Sequence, residues 1–147
     1  MAPSLHFPRL QDFTRYAVEA NHHREVAHSG LQVLVVENEA VARFALQSLL
    51  YGYGFSTRAV ASGEEALRVA EGEADALVAL IDLDLPGMDG AELLKRLKMM
   101  KPDLKAIIIT AASRDRVRKV IDSDVPHLRK PLDFPRLLRF LCDGPPA

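Results

Sequence analysis

Short apolar runs alternate with segments of helical periodicity along most of this chain. Three runs are almost continuously apolar and two are weaker: Leu31–Val36, Ala76–Ile81 and Ala106–Ile109, then Phe55–Val60 and Val125–Leu128. Between these runs apolar residues recur three or four positions apart, which predicts amphipathic helices. Strand and helix alternate about five times, so the pattern predicts an α/β fold with parallel strands joined by right-handed crossovers.

Three polar residues predict where helices begin. Ser62 precedes Glu65 by three positions, and Asp89 stands in the same relation to Glu92; this is the spacing of a capping box. Asp133 is a further N-cap candidate, because a proline in the first turn follows it two positions later. We therefore predict helices that begin just after residues 62, 89 and 133.

The apolar character of the strongest runs indicates that both faces of the sheet are covered by helices, as in a doubly wound fold. We expect one such domain over residues 31–142, a separate extension over residues 1–30, and a short tail at 143–147. In sheets of this kind the functional crevice lies beyond the carboxyl ends of the strands.

Polar residues stand at these predicted strand ends. Glu37 and Asn38 follow the first strand, Asp82 the third, Thr110 ends the fourth, and Lys130 follows the fifth. Carboxylate and amide oxygens suit a hard cation such as Mg²⁺, whereas a hydroxyl and an ammonium suit phosphoryl oxygens. The residues alone therefore predict a Mg²⁺-assisted phosphoryl site with an aspartate nucleophile.

Four segments extend this interpretation: VLVVENE, ALIDLDLPGMDG, IIITAAS and LRKPLD. In order and spacing they resemble the receiver domains of two-component response regulators. The resemblance implies a flavodoxin-like sheet of five parallel strands in the order 2-1-3-4-5. It also implies that Asp82 is the phosphoacceptor, Thr110 the switch hydroxyl and Lys130 the ion-pair partner of the phosphoryl group, with a Lys130–Pro131 bond that is often cis.

The same resemblance implies a metal site. Glu37, Asn38 and Asp82, together with the backbone carbonyl of Asp84, would hold Mg²⁺. Receivers usually have two acids at the positions of Glu37 and Asn38, and an amide brings no charge, so we expect weaker metal binding here. The Asp84 carboxylate would lie beside the phosphoryl group, where it would either repel an incoming phosphate or orient a hydrolytic water.

His127 occupies the position at which many receivers carry a tyrosine or phenylalanine that turns inward on activation. A histidine packs like an aromatic residue and also titrates near neutral pH. Two interpretations stay open: His127 is a switch residue, or it is an exposed histidine at the edge of a strand.

Composition and the length of the apolar runs limit the class of protein to which the chain can belong. The formal net charge of −1 gives no reason to expect DNA as a partner, and no apolar run approaches the roughly 20 residues of a membrane span. Cys142 is the single cysteine, which excludes an internal disulfide, and no secretory signal is evident. These features are typical of a cytoplasmic protein.

We expect a single-domain response regulator, because only six residues follow Leu141. It would receive its phosphoryl group from a histidine kinase or histidine phosphotransfer protein and signal through contacts with an unknown downstream protein. A basic cluster at Arg114, Arg116, Arg118 and Lys119 is either a solvated helix face or a partner surface.

Two other functions share part of this pattern. A pseudo-receiver would use the same fold as a binding module that needs no phosphorylation, and Asn38 favours it slightly. An enzyme of the haloacid-dehalogenase class shares an Asp-x-Asp pair like Asp82-Leu83-Asp84, but it resembles a larger chain with its further acids after the lysine. We therefore expect no enzyme activity beyond self-phosphorylation and self-dephosphorylation.

The first thirty residues lie outside the receiver pattern. Leu10, Phe13, Ala17 and Ala20 recur at helical spacing, which predicts an amphipathic helix over about residues 9–26. Such an apolar face is normally buried, and we expect it to contribute to a homodimer.

Overall fold

Strands and helices alternate through the whole part of the chain that the computed structural model describes, residues 32–72 and 77–143. The strands are β1 (Gln32–Val36), β2 (Ser56–Val60), β3 (Leu77–Asp82), β4 (Lys105–Thr110) and β5 (His127–Arg129). The helices are α1 (Ala40–Gly52), α2 (Gly63–Gly72), α3 (Gly90–Met100), α4 (Arg114–Val120) and α5 (Phe134–Asp143).

The five strands form one parallel sheet in the order β2-β1-β3-β4-β5. This confirms the predicted fold class and strand order. Consecutive strands β2 and β3 are separated by β1 in the sheet, so the chain reverses its direction of winding at that point. The reversal places helices on both faces and opens a crevice at the carboxyl ends of the strands.

Alternate residues of each central strand pack into two separate hydrophobic cores, one on each face of the sheet. On β1, Val33 and Val35 face a core closed by α1 and α5, whereas Leu34 and Val36 face a core closed by α2, α3 and α4. All four side chains are at most 1% exposed. Burial on both faces explains why β1 is apolar without interruption.

The three predicted helix starts are confirmed. Ser62, Asp89 and Asp133 each accept a hydrogen bond from the backbone N–H three residues later, at 3.2, 2.8 and 3.2 Å. Each bond satisfies one of the N–H groups that a helix leaves unpaired in its first turn.

The turn from β3 into α3 depends on two glycines. Gly87 has a φ of +74°, a conformation that residues with a side chain rarely adopt. Gly90 begins α3 directly on top of the end of β3, and its N–H donates to the Leu83 carbonyl at 3.1 Å. A Cβ at Gly90 would lie 2.7 Å from Leu83 Cα and would also collide with the Asp82 carbonyl oxygen.

Several predictions fall on residues that the structure does not describe. They are the helix over residues 9–26, its contribution to a homodimer, and the tail beyond residue 143. Within residues 32–72 and 77–143, no helix is both long and apolar enough to cross a membrane.

We predict that Gly90→Ala lowers the free energy of unfolding by about 1–3 kcal/mol, the usual cost of overpacking. The new methyl group would press on the backbone of Asp82 and Leu83, which has no flexible side chain to move aside. Chemical denaturation followed by circular dichroism would measure the change.

The matched control is Gly52→Ala at the end of α1, where a Cβ would meet nothing within 4 Å. That change should be neutral or slightly stabilising, because alanine favours helix over glycine. Equal stability of Gly90→Ala and wild type would contradict the close approach of α3 to β3.

Candidate functional site

The parallel register brings three buried polar residues to one edge of the sheet. Val36 is the partner of Ile81 across β1 and β3, so the residues that follow them, Glu37 and Asp82, are neighbours. Asp82 is in turn the partner of Ile109, one residue before Thr110. Glu37, Asp82 and Thr110 are 3%, 5% and 0% exposed, and they are the only buried polar or charged residues in the described chain.

Lys130 reaches this edge from the end of β5. Its Nζ donates to Asp82 Oδ2 at 3.0 Å and to Glu37 Oε1 at 3.3 Å. Its backbone N–H donates to the Thr110 carbonyl at 2.8 Å, and the Lys130–Pro131 peptide bond is cis. One ammonium therefore faces two buried carboxyl groups.

This crowding changes the charges of all three groups. Burial, with the neighbouring Asp82 acting in the same direction, raises the pKa of Glu37 to about 7 against the opposing effect of Lys130. Burial alone would also raise the pKa of Asp82, but hydrogen bonds from Glu37, the Asp84 N–H and Lys130 outweigh it and hold that pKa below its usual value. Near neutral pH Asp82 is thus ionised, while Glu37 is partly protonated.

Burial by itself would lower the pKa of Lys130, yet its hydrogen bonds and its charge interactions with Asp82 and Glu37 raise that pKa above its ordinary value. The ammonium therefore stays charged at physiological pH. An ionised carboxylate beside a permanent cation is a suitable nucleophile for a group whose own oxygens are negative.

The second oxygen of Asp82 is held by the chain just beyond β3. Asp82 Oδ1 accepts from the Asp84 N–H at 2.9 Å. The Asp84 side chain pairs with Arg116 of α4, whose Nη2 lies 3.1 Å from Asp84 Oδ1. In the sequence Arg116 stands in a basic cluster, and no local pattern relates it to Asp84, 32 positions away.

Arg43 is a second residue that the sequence did not single out. From α1 its Nη1 donates to the backbone carbonyls of Glu37 at 2.9 Å and Asn38 at 3.2 Å. These bonds fix the loop that carries Glu37 into the site. The only signal in the sequence was that Arg43 stands six residues after Glu37 and five after Asn38. This signal is weak.

Thr110 ends β4 completely buried beside the carboxyl groups. Its Oγ1 accepts from the Ala112 N–H at 3.0 Å, an interaction that leaves the hydroxyl hydrogen to be donated elsewhere. Among the described residues, every buried side-chain nitrogen or oxygen has a hydrogen-bond partner.

His127 is half-buried at the start of β5. Burial lowers its pKa below 6.5, and the charges of Arg114, Arg118 and Arg136 lower it further. The imidazole is consequently neutral at physiological pH. The structure places His127 near the basic helix α4, and its role as a switch residue stays a prediction.

The donor set at this edge fits a hard divalent cation. Glu37 and Asp82 offer buried carboxylate oxygens beside one another, and Asn38 and Asp84 line an open groove next to them. Within the described residues no cluster of three or more His, Cys, Asp or Glu forms a metal site from side chains alone. A cation here would therefore complete its shell with amide or backbone oxygens and with water, as Mg²⁺ commonly does.

Comparison with known proteins agrees with this geometry. Residues 33–141 match the family described as response regulator receiver domain. Sporulation initiation phosphotransferase F of Bacillus subtilis is 32% identical over 70% of this chain and 84% of its own length. The crystal structure of the response regulator TrrA of Thermotoga maritima, in complex with Mg²⁺ and BeF, superposes with a TM-score of 0.68 at 26% identity, covering 78% of this chain and 98% of that one.

Other relatives are longer than the matched region. The two-component response regulator PhoP of Pseudomonas aeruginosa is 36% identical over 73% of this chain, which spans 48% of that protein. The sensor kinase CckA of Brucella abortus is 34% identical over 71% of this chain and only 11% of its own length. The matched unit therefore occurs both in short proteins and as one part of larger ones.

We predict that Glu37→Gln stabilises the protein in metal-free buffer at pH 8 by about 1–2 kcal/mol. Glu37 binds its proton more tightly in the folded state, where its pKa is about 7, than in the unfolded state, where it is near 4.5. The wild type therefore loses stability as the pH rises from about 4.5 through 7, and glutamine removes that loss.

Thermal unfolding in a chelating agent at pH 4 and at pH 8 would test this prediction. Glu39→Gln, at an exposed neighbouring position, is the control and should show little change at either pH. A Glu37→Gln gain of equal size at pH 4 and pH 8 would contradict the proposed cause.

Proposed function

Because the chain belongs to the receiver domain family of two-component response regulators, we propose that Asp82 accepts a phosphoryl group from a histidine kinase or a histidine phosphotransfer protein. The observation that carries this proposal is the contact of Lys130 with Asp82 and Glu37 at the end of β3. It gives an ionised, buried carboxylate with a cation 3.0 Å away.

The transfer step uses the oxygens of Asp82 directly. One carboxylate oxygen attacks phosphorus, a new P–O bond forms, and the P–N bond of the donor phosphohistidine breaks. The electron pair of that bond returns to the imidazole nitrogen, which can take up a proton. Lys130 then lies close to the new phosphoryl oxygens, and the Asp84 N–H keeps the carboxylate oriented.

Mg²⁺ is the cofactor that this donor set supports, and the Mg²⁺–BeF complex of the Thermotoga relative agrees with that assignment. Glu37, Asp82, the Asn38 amide and the Asp84 carbonyl would hold it. When bound, the cation supplies the positive charge that offsets the oxygens of the transferred group. Binding would also displace the proton that Glu37 holds near neutral pH.

The response to phosphorylation would begin at Thr110. Its hydroxyl is buried at the end of β4, next to the strand that carries Asp82, so a small rotation can direct it to a phosphoryl oxygen. His127 lies on the next strand, paired with Ile108. We propose that movement at Thr110 is passed to His127 and to α4.

We further propose that the protein works in the cytoplasm and signals through protein contacts. Arg114, Arg118 and Lys119 place positive charge on α4, beside the site, and suit an acidic protein surface. A pseudo-receiver is the alternative function, and Asn38 is the residue that favours it because it removes a charge from the metal site.

Incubation with acetyl phosphate and Mg²⁺ should add one phosphoryl mass to the wild type and none to Asp82→Ala. The reason is that Asp82 is the ionised carboxylate in contact with Lys130. Intact-mass spectrometry measures the result.

Asp84→Asn is the matched control, because it removes a nearby carboxylate but keeps the backbone N–H that Asp82 uses. It should still be labelled. Labelling of Asp82→Ala would place the acceptor elsewhere, and absence of label on every variant would favour the pseudo-receiver.

Asn38→Asp should bind Mg²⁺ more tightly by about 1–2 kcal/mol, or roughly tenfold. The added carboxylate attracts the cation, although part of the gain is offset by repulsion among three acids. Titration of Mg²⁺ against the rate of phosphorylation measures the midpoint.

Glu37→Gln should shift that midpoint in the opposite direction, because only Asp82 then brings a charged side chain. An unchanged midpoint in Asn38→Asp would mean that position 38 does not face the metal or that Glu39 already serves as a ligand.

A further inference from the structure

Helix α1 carries an unusual share of exposed apolar surface. Among the described residues, the large apolar side chains that remain exposed include Val41, Phe44, Leu49 and Tyr51, all on this helix. Val41, Phe44 and Tyr51 are 77%, 71% and 78% exposed. Apolar side chains scattered singly need no explanation, but a contiguous group on one helix indicates an interaction surface.

These side chains follow a regular spacing. Val41, Phe44, Ser48 and Tyr51 are separated by three, four and three positions, so they form one stripe, which we call the α1 seam. The opposite side of the helix packs on the sheet through Leu46 and Leu50. A stripe with this spacing is the pattern that packs against a second helix.

The chain contains a second stripe with the same spacing. Leu10, Phe13, Ala17 and Ala20, the N-terminal seam, are also separated by three, four and three positions. Both seams begin with an aliphatic residue followed by phenylalanine, and both have a small residue at the third position. Each residue of the α1 seam stands 31 positions after the corresponding residue of the N-terminal seam.

We propose that the segment of residues 9–26 packs as a helix along α1 of the same chain and covers the α1 seam. In this alignment Phe13 lies beside Phe44, and the small residues Ala17 and Ser48 face each other where the two helices approach closely. This proposal does not rest on phosphoryl transfer at Asp82.

The topology permits this arrangement. A helix that runs down to the amino end of β1 is parallel to α1, because α1 runs back antiparallel to β1 after the site. The constant offset of 31 residues pairs the two seams in the same chain order, and this pairing requires parallel helices. Five residues, 27–31, connect the end of this segment to Gln32 and can span at most about 17 Å, beyond the roughly 8–10 Å between packed helix axes.

Tethering favours the chain's own segment over a second copy. A short linker gives an effective concentration on the order of millimolar, above the concentration at which a second molecule usually competes. The α1 seam also begins four residues after Glu37, so the proposed cover would lie next to the edge that carries Asp82.

A single tryptophan can report on the seam, because the chain contains none. Phe44→Trp changes an exposed side chain and should therefore leave the fold intact. We expect its emission to be blue-shifted and independent of protein concentration. Solvent-like emission would overturn the proposal, and a blue shift that disappears on dilution would assign the cover to a second copy and overturn it too.

A second substitution in the Phe44→Trp variant tests whether the N-terminal seam is the partner of the α1 seam. Phe13→Asp should shift the tryptophan emission to the red, because it places a charge on the N-terminal seam. Gln11→Asp adds the same charge two positions away from Phe13, off the seam, and should leave the emission unchanged. Equal responses to the two substitutions would contradict the alignment.

Disulfide trapping provides an independent measurement. In a Cys142→Ser background, Ala17→Cys with Ser48→Cys should oxidise at least tenfold faster than the off-seam pair Arg15→Cys with Ser48→Cys. The product should migrate as a cross-linked monomer on a non-reducing gel. Equal rates, or a cross-linked dimer as the main product, would overturn the proposal.

Discussion

The contact of one lysine with two buried carboxyl groups is the interaction around which this domain is organised. Lys130 lies 3.0 Å from Asp82 and 3.3 Å from Glu37 at the carboxyl edge of the sheet. Burial of a charge is costly unless it is paired, and here the pairing is incomplete because two acids share one ammonium. Burial, together with the neighbouring Asp82, raises the pKa of Glu37 to about 7, and the excess of acid over ammonium explains why this edge suits a divalent cation.

The rest of the fold holds these three groups in place. Lys130 is 93 residues from Glu37 and 48 from Asp82 along the chain, and only the parallel register of β1, β3, β4 and β5 brings them together. Gly90 lets α3 begin against the backbone of Asp82 itself. The contacts that pack α3 against β3 therefore also position Asp82, so a substitution that alters this packing also alters the site.

The helices next to the site contribute in different ways. Arg43 of α1 holds the loop of Glu37 through two backbone carbonyls, and Arg116 of α4 pairs with the Asp84 carboxylate. This second pair is solvent-exposed, so its contribution to stability is small. It instead offsets a negative charge next to the carboxyl edge of the sheet.

The sequence by itself determined the elements and which residues end each strand. The runs that became β1, β3 and β4, the helix starts at Ser62, Asp89 and Asp133, and the positions of Glu37, Asp82, Thr110 and Lys130 are local patterns, because burial and capping act over a few residues.

Only the tertiary structure decided the reach of Lys130 to both acids, the pKa of Glu37, the close approach at Gly90 and the pairing of Arg116 with Asp84. Arg116 looked like one member of a basic helix face until the fold placed Asp84 within 3.1 Å of it. Each of these depends on distance and burial between segments far apart in the chain, which residue spacing does not encode.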